Sequence, residues 1–165
     1  VIFMVLLCIT FLYVSGVRIN TSPSMAIGIY HLSMDQHIKR GSVVAFCLPK
    51  KIALVGLKKG YLHHGTCPGH TNVLLKDVIA LPGDEVVLTR NDTHVIGHHD
   101  YFTPRQFTNR QHQRVSQWVH SGVFKRIQGF WVYGRHDPIY SWDSRYYGAI
   151  KKAYLRGAYH LVIQL

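Results

Sequence analysis

The chain has 165 residues, of which 47% are apolar and 16% charged, and its formal net charge is +11. That length and apolar content suffice for one domain with its own core and exclude a disordered or low-complexity protein. The basic balance suits nucleic acid, anionic lipid headgroups or an acidic substrate, and its sign alone does not choose among them.

The first segment, residues 1–17 (VIFMVLLCITFLYVSGV), carries no charge. As a helix it would be about 26 Å long, against a hydrocarbon core of about 30 Å. A cleaved signal peptide has an apolar region of about 7–15 residues and a small-residue cleavage pattern, which is missing here. A buried core helix is the other alternative. The expectation is a membrane anchor over 1–17, truncated at its start because the chain opens on Val1, followed by an extracytoplasmic domain over 18–165. The domain's many basic residues do not fix its side, since long domains cross membranes largely regardless of charge.

Ser24 follows Val17 by seven residues. Fully extended, that tether spans about 25 Å, so Ser24 works near the bilayer surface. By itself the run Ser22-Pro23-Ser24-Met25 reads as a cap or a turn.

Beyond it the pattern is short strands and turns: 42–48 (SVVAFCL), 72–81 (NVLLKDVIAL) running into a Pro-Gly-Asp turn, 85–89, 129–134 and 159–165. Residues 90–128 are polar, rich in His and Gln and poorly periodic, and read as a variable insertion. The predicted fold class is mainly β, an antiparallel β domain on one N-terminal transmembrane helix.

Strand alternation places Leu74, Lys76, Val78 and Ala80 on one face and Leu75, Asp77 and Ile79 on the other. A lysine in an apolar row either snorkels at a strand edge or is desolvated. Desolvation lowers its pKa, and a drop of about three units leaves an amine able to act as a base near pH 7. Cys47 and Cys67 suit one disulfide in an oxidising compartment, or two separate buried thiols. In 140–148 (YSWDSRYYG), Ser141, Asp143, Ser144 and Arg145 crowd together, and an extended run would let Asp143 and Arg145 pair on one face. A polar turn is the alternative.

Taken together, "SPSM", "LLKDVIALPGDEV" and "SWDSRYYG", in that order behind an apolar span, resemble the type I signal peptidase superfamily of S26-type Ser-Lys membrane peptidases. "NTSPSMAIGIY", "KKGYLHHGTCPG" and "DPIYSWDSRYYG" are similar to its conjugative-transfer, TraF-like subgroup. The resemblance covers Asn20 to about Gly148. It implies a serine endopeptidase with Ser24 as nucleophile and Lys76 as general base. The Ser22 hydroxyl and the Ser24 N–H would form the oxyanion hole, although on its residues alone Ser22 fits a loop hydrogen bond equally well. Ser141 would orient the lysine amine, with Asp143 and Arg145 as supporting residues. The subgroup commonly has proline where this chain has Ala26, and "GRHDP" stands where general signal peptidases have a Gly-Asp-Asn run.

The same resemblance implies a single-pass protein of the bacterial inner membrane with its catalytic domain in the periplasm. The implied substrate is a membrane-anchored precursor such as a propilin, with small residues around the cleavage site. The lipid bilayer and the secretion or conjugation machinery are the other implied partners. A non-catalytic assembly component on the same scaffold is the alternative function. No cofactor is expected, nor nucleic acid, for which no recognition motif is present. The His-rich runs 63–70 and 94–100 show no complete ligand set at zinc spacing, so no metal is expected.

Overall fold

Runs of β-branched and aromatic residues, cut by Gly, Pro and Asp turns, favour paired strands over long helices. The structure, a computed structural model, describes residues 15–108 and 113–165. Its strands are β1 (Val17–Asn20), β2 (Gly28–Leu32), β3 (Val43–Phe46), β4 (His64–Cys67), β5 (Leu74–Ala80) and β6 (Val86–Leu88). They continue with β7 (Thr93–Val95), β8 (Tyr101–Phe102), β9 (Gly122–Phe124), β10 (Trp131–Tyr133) and β11 (Leu155–Gln164). A six-stranded sheet runs β1-β2-β11-β3-β5-β10 and a four-stranded sheet β8-β7-β6-β9, with every strand pairing antiparallel. The mainly β, antiparallel expectation is met.

The anchor expected over 1–17 lies mostly outside the described residues. Of its last three positions, Ser15 and Gly16 form a turn and Val17 opens β1. Among the described residues no helix is long and apolar enough to cross a membrane.

The polar stretch 90–128 holds β7, β8 and β9, which with β6 make the second sheet. Val86, Leu88, Val95, Phe102 and Trp131 form its core together with Ile79. Strands of two or three residues are too short to show a period in sequence.

Among the described residues two α-helices interrupt the sheets. α1 (Lys50–Lys58) was not foreseen; it buries Ala53 and Gly56. A β-carbon on Gly56 would stand 2.7 Å from the Trp142 ring, so the glycine lets the helix lie close on the main core. α2 (Ser144–Tyr147) replaces the extended run considered for Asp143 and Arg145. Asp143 is its N-cap, accepting from the Arg145 N–H, and the cap starts the helix where a strand was considered.

Candidate active site

The β1–β2 register pairs Asn20 with Gly28, so residues 21–27 form a closed loop at the end of an edge strand. Ser24 sits buried in that loop. Its Oγ is 3.0 Å from the Ser22 Oγ. The Ser24 carbonyl accepts from the His136 N–H at 3.2 Å, tying the loop to the end of β10. The Tyr30 hydroxyl donates to the Ala26 carbonyl at 2.9 Å, and burial, helped by the Asp77 charge, pushes the Tyr30 pKa up. Asn20 is buried beneath the loop and its carboxamide bonds the loop's main chain.

Lys76 is in β5, between β3 and β10, opposite Val44. It is therefore on an interior strand, and with 4% of its surface exposed it cannot snorkel to water. Its Nζ donates to the Ser24 Oγ. Burial lowers the Lys76 pKa from 10.5 to about 8; Asp143 and Asp77 oppose the shift, and the Arg145 charge adds to it. A lysine of that pKa is neutral in about one molecule in ten at pH 7, against fewer than about one in a thousand for a solvated one.

Asp143 and Arg145 form a fully buried ion pair at the start of α2. The Asp143 carboxylate accepts from Arg145 Nε at 2.8 Å, Arg145 Nη2 at 2.9 Å and the Gly134 N–H at 3.1 Å. Arg145 also donates to the carbonyls of Thr103 (2.8 Å), Pro104 (3.2 Å), Pro138 (2.6 Å) and Ser141 (3.2 Å). Burial pushes the Arg145 pKa down, but Asp143 outweighs it by charge and hydrogen bonds, and the net shift is upward.

Ser141 is buried beside this pair, and its Oγ has no hydrogen-bond partner among the described residues. The lysine-orienting contact implied for it is thus not made in this arrangement. Gly134 explains how it fits: a β-carbon there would collide with the Ser141 side chain and approach the Ser24 carbonyl to 3.0 Å.

Cys47 and Cys67 form a disulfide with their Cα atoms 5.5 Å apart. It staples the end of β3 to the β4 hairpin, which forms one wall of a groove of about 720 Å³ whose other wall is β1. Ile19, Ser22, His63, Val73 and Leu75 are among the residues that line it. Among the described residues no group of three or more His, Cys, Asp or Glu is placed to hold a metal ion.

The structure thus brings Ser22, Ser24 and Lys76 into contact, with Asp143, Arg145 and Ser141 behind them. Sequence reasoning missed Asn20, Gly134 and the Asp77–Arg135 ion pair (3.1 Å) on the flank of Lys76. Asn20 and Gly134 stand next to motif residues in sequence or space, yet neither type signals a role until its neighbours are known.

The family model for signal peptidases, peptidase S26, matches residues 1–164. The plasmid transfer protein TraF of Escherichia coli is 35% identical over 86 residues, 52% of this chain and 48% of that protein. The conjugal transfer protein TraF of Agrobacterium fabrum is 30% identical over 147 residues, 87% of this chain and 80% of that protein. The match thus spans about half the length of the first relative and most of the second. A crystal structure of a signal peptidase I from Enterococcus faecalis aligns with 76% of this chain and 98% of its own, at 19% identity and a TM-score of 0.40. The family assignment rests on the sequence matches: the chain belongs to the signal peptidase family, peptidase S26, and lies close to its TraF relatives.

Proposed function

We propose that this protein is a serine endopeptidase of the signal peptidase type that uses a Ser24–Lys76 dyad. The observation that carries the reading is the contact of Lys76 Nζ with Ser24 Oγ in a buried setting that lowers the lysine to about 8. The neutral amine takes the hydroxyl proton as Ser24 Oγ attacks the scissile carbonyl carbon. The resulting ammonium gives that proton to the leaving amine, and an acyl-Ser24 remains. Lys76 then takes a proton from water, the hydroxide oxygen attacks the ester, and Ser24 recovers its hydrogen.

Negative charge on the former carbonyl oxygen needs donors. The Ser24 N–H, which donates to no other group among the described residues, is one. The Ser22 hydroxyl, 3.0 Å from Ser24 Oγ, is the second, while Pro23 between them has no N–H. Asp143 and Arg145 hold the loop beyond β10 in place.

The substrate in this reading is a membrane-anchored precursor of a conjugation or type IV secretion system, such as a propilin, and the protein works at the periplasmic face of the inner membrane. Relatives named for plasmid and conjugal transfer support the system. Ile19, Ile27, Ile163 and Leu165 are exposed at the end of the sheet that carries Ser24, which suits work beside lipid.

The test is cleavage of such a precursor by purified full-length protein in detergent. Ser24→Ala and Lys76→Ala each abolish processing while the circular dichroism and melting temperature stay near those of the parent. Normal cleavage by either variant overturns the dyad.

A further inference from the structure

Loop 21–27 has little backbone bonding of its own. The Met25 N–H reaches the Ser22 carbonyl only at 3.4 Å, and the Ser24 carbonyl is held from outside by His136. The carboxamide of Asn20 supplies much of the remainder. Its Nδ2 donates to the carbonyls of Ser22 (2.9 Å), Ala26 (3.0 Å) and, more weakly, Met25 (3.3 Å). Its Oδ1 accepts from the Ser22 N–H at 3.2 Å. One buried side chain therefore grips the main chain on both sides of Ser24, from a strand residue whose place is set by its pairing with Gly28. Only a short side chain with both a donor and an acceptor can do this. Aspartate has the shape without the donor, and alanine has neither group.

We propose that Asn20 is a positioning residue that holds the loop so that Ser24 Oγ meets Lys76 and the Ser24 and Ser22 donors face one point. The proposal rests on the Ser24–Lys76 reading of the site. A nucleophile displaced by about 1 Å can lose a factor of about 10² in rate, so the contribution of Asn20 is to kcat. Asn20 also borders the groove, and a direct substrate contact would instead raise KM.

The experiment uses the full chain in detergent micelles and a quenched-fluorescence peptide with small residues before the scissile bond. Asn20→Asp and Asn20→Ala are compared with the parent. Both variants lose about 10- to 100-fold in kcat with KM within about twofold. The rising pH limb of Asn20→Ala stays where the parent's is, because the burial of Lys76 is untouched. Hydrogen exchange of the amides of 21–27 quickens in both variants, while that of β5 does not. Parental kcat in both variants, or a rise confined to KM, overturns the proposal. If Ser24→Ala also cleaves the peptide, the dyad reading falls separately. Exchange then decides alone: unchanged rates in 21–27 overturn the role of Asn20, and faster rates sustain it as the organiser of the loop.

Discussion

Two buried cations lie in the same part of this molecule, and burial affects them in opposite ways. Lys76 has a hydroxyl as its direct partner, and its pKa falls to about 8. Arg145 is just as buried, yet its pKa rises. Desolvation penalises both. The difference is the company each keeps: Asp143 meets Arg145 with both carboxylate oxygens, and four carbonyls take the remaining donors. The arginine stays a fixed charge and a structural tie. The lysine feels Asp143 only at a distance, with Arg145 offsetting part of that field, and is left able to give up its proton. The two cations thus divide into a permanent charge and an amine whose pKa is lowered.

The largest test of this contrast converts one cation into the other. Lys76→Arg keeps the positive charge, but a guanidinium does not deprotonate. Hydrolysis of the precursor is abolished, as in Lys76→Ala, although the charge remains. Full activity of Lys76→Arg, measured on the same precursor, would remove proton transfer from the role of Lys76.

Next comes the arginine's partner. Asp143→Ala leaves Arg145 buried and unpaired, and breaking a buried pair in this way costs about 3–5 kcal/mol. A melting temperature of the full chain in detergent reads the loss. The same variant removes a charge that raises the Lys76 pKa, so the rising limb of activity shifts to lower pH where the protein still folds. An unchanged melting point means the pair is relaxed by water.

Ser22 probes the hydroxyl side of the lysine's surroundings. Ser22→Ala lowers kcat by about 10²–10³ with little change in KM, because an oxyanion donor acts mainly in the transition state. Ser22→Thr retains much of the rate. Equal rates for the two variants would leave the second donor unidentified.

The smallest effect is on stability. The folded-state pKa of Lys76 lies below its unfolded value, so between about 8 and 10.5 the unfolded chain binds a proton that the folded chain declines. Stability from this group is full above 10.5 and is lost as pH falls through 8, by about 3 kcal/mol in all. The advantage of Lys76→Met over the parent in denaturant unfolding is therefore larger at pH 7 than at pH 10.5. Activity of the parent rises with pH about a midpoint near 8. A limb near 10.5 would mean a solvated lysine.

Much of this was legible in the residues. The order of Ser24, Lys76 and Asp143 with their neighbours carried the resemblance, because chemistry constrains residue type at a few positions whatever surrounds them. The strands at 42–48 and 72–81 carried enough β-branched residues to stand out, and β3 and β5 fall within them. α1 did not stand out, since nine residues with a glycine inside have a weak helical signal and its packing on Trp142 supplies the rest. The second sheet was hidden for the same reason, its strands being short and held by pairing with one another.

The sequence by itself determined which side chains could do the chemistry, since nucleophile, amine and carboxylate are properties of single residues. It also determined a mainly β chain, because short β-branched runs between turns allow little else. Only the tertiary structure decided that Lys76 would lie on an interior strand rather than an edge, and that Asp143 would cap a helix and pair with Arg145. It alone placed Asn20 beneath the loop that carries Ser24 and, among the described residues, left the Ser141 hydroxyl without a partner. Burial and electrostatic fields are sums over neighbours brought in from distant parts of the chain. A proton's affinity for Lys76 depends on those sums and not on lysine alone.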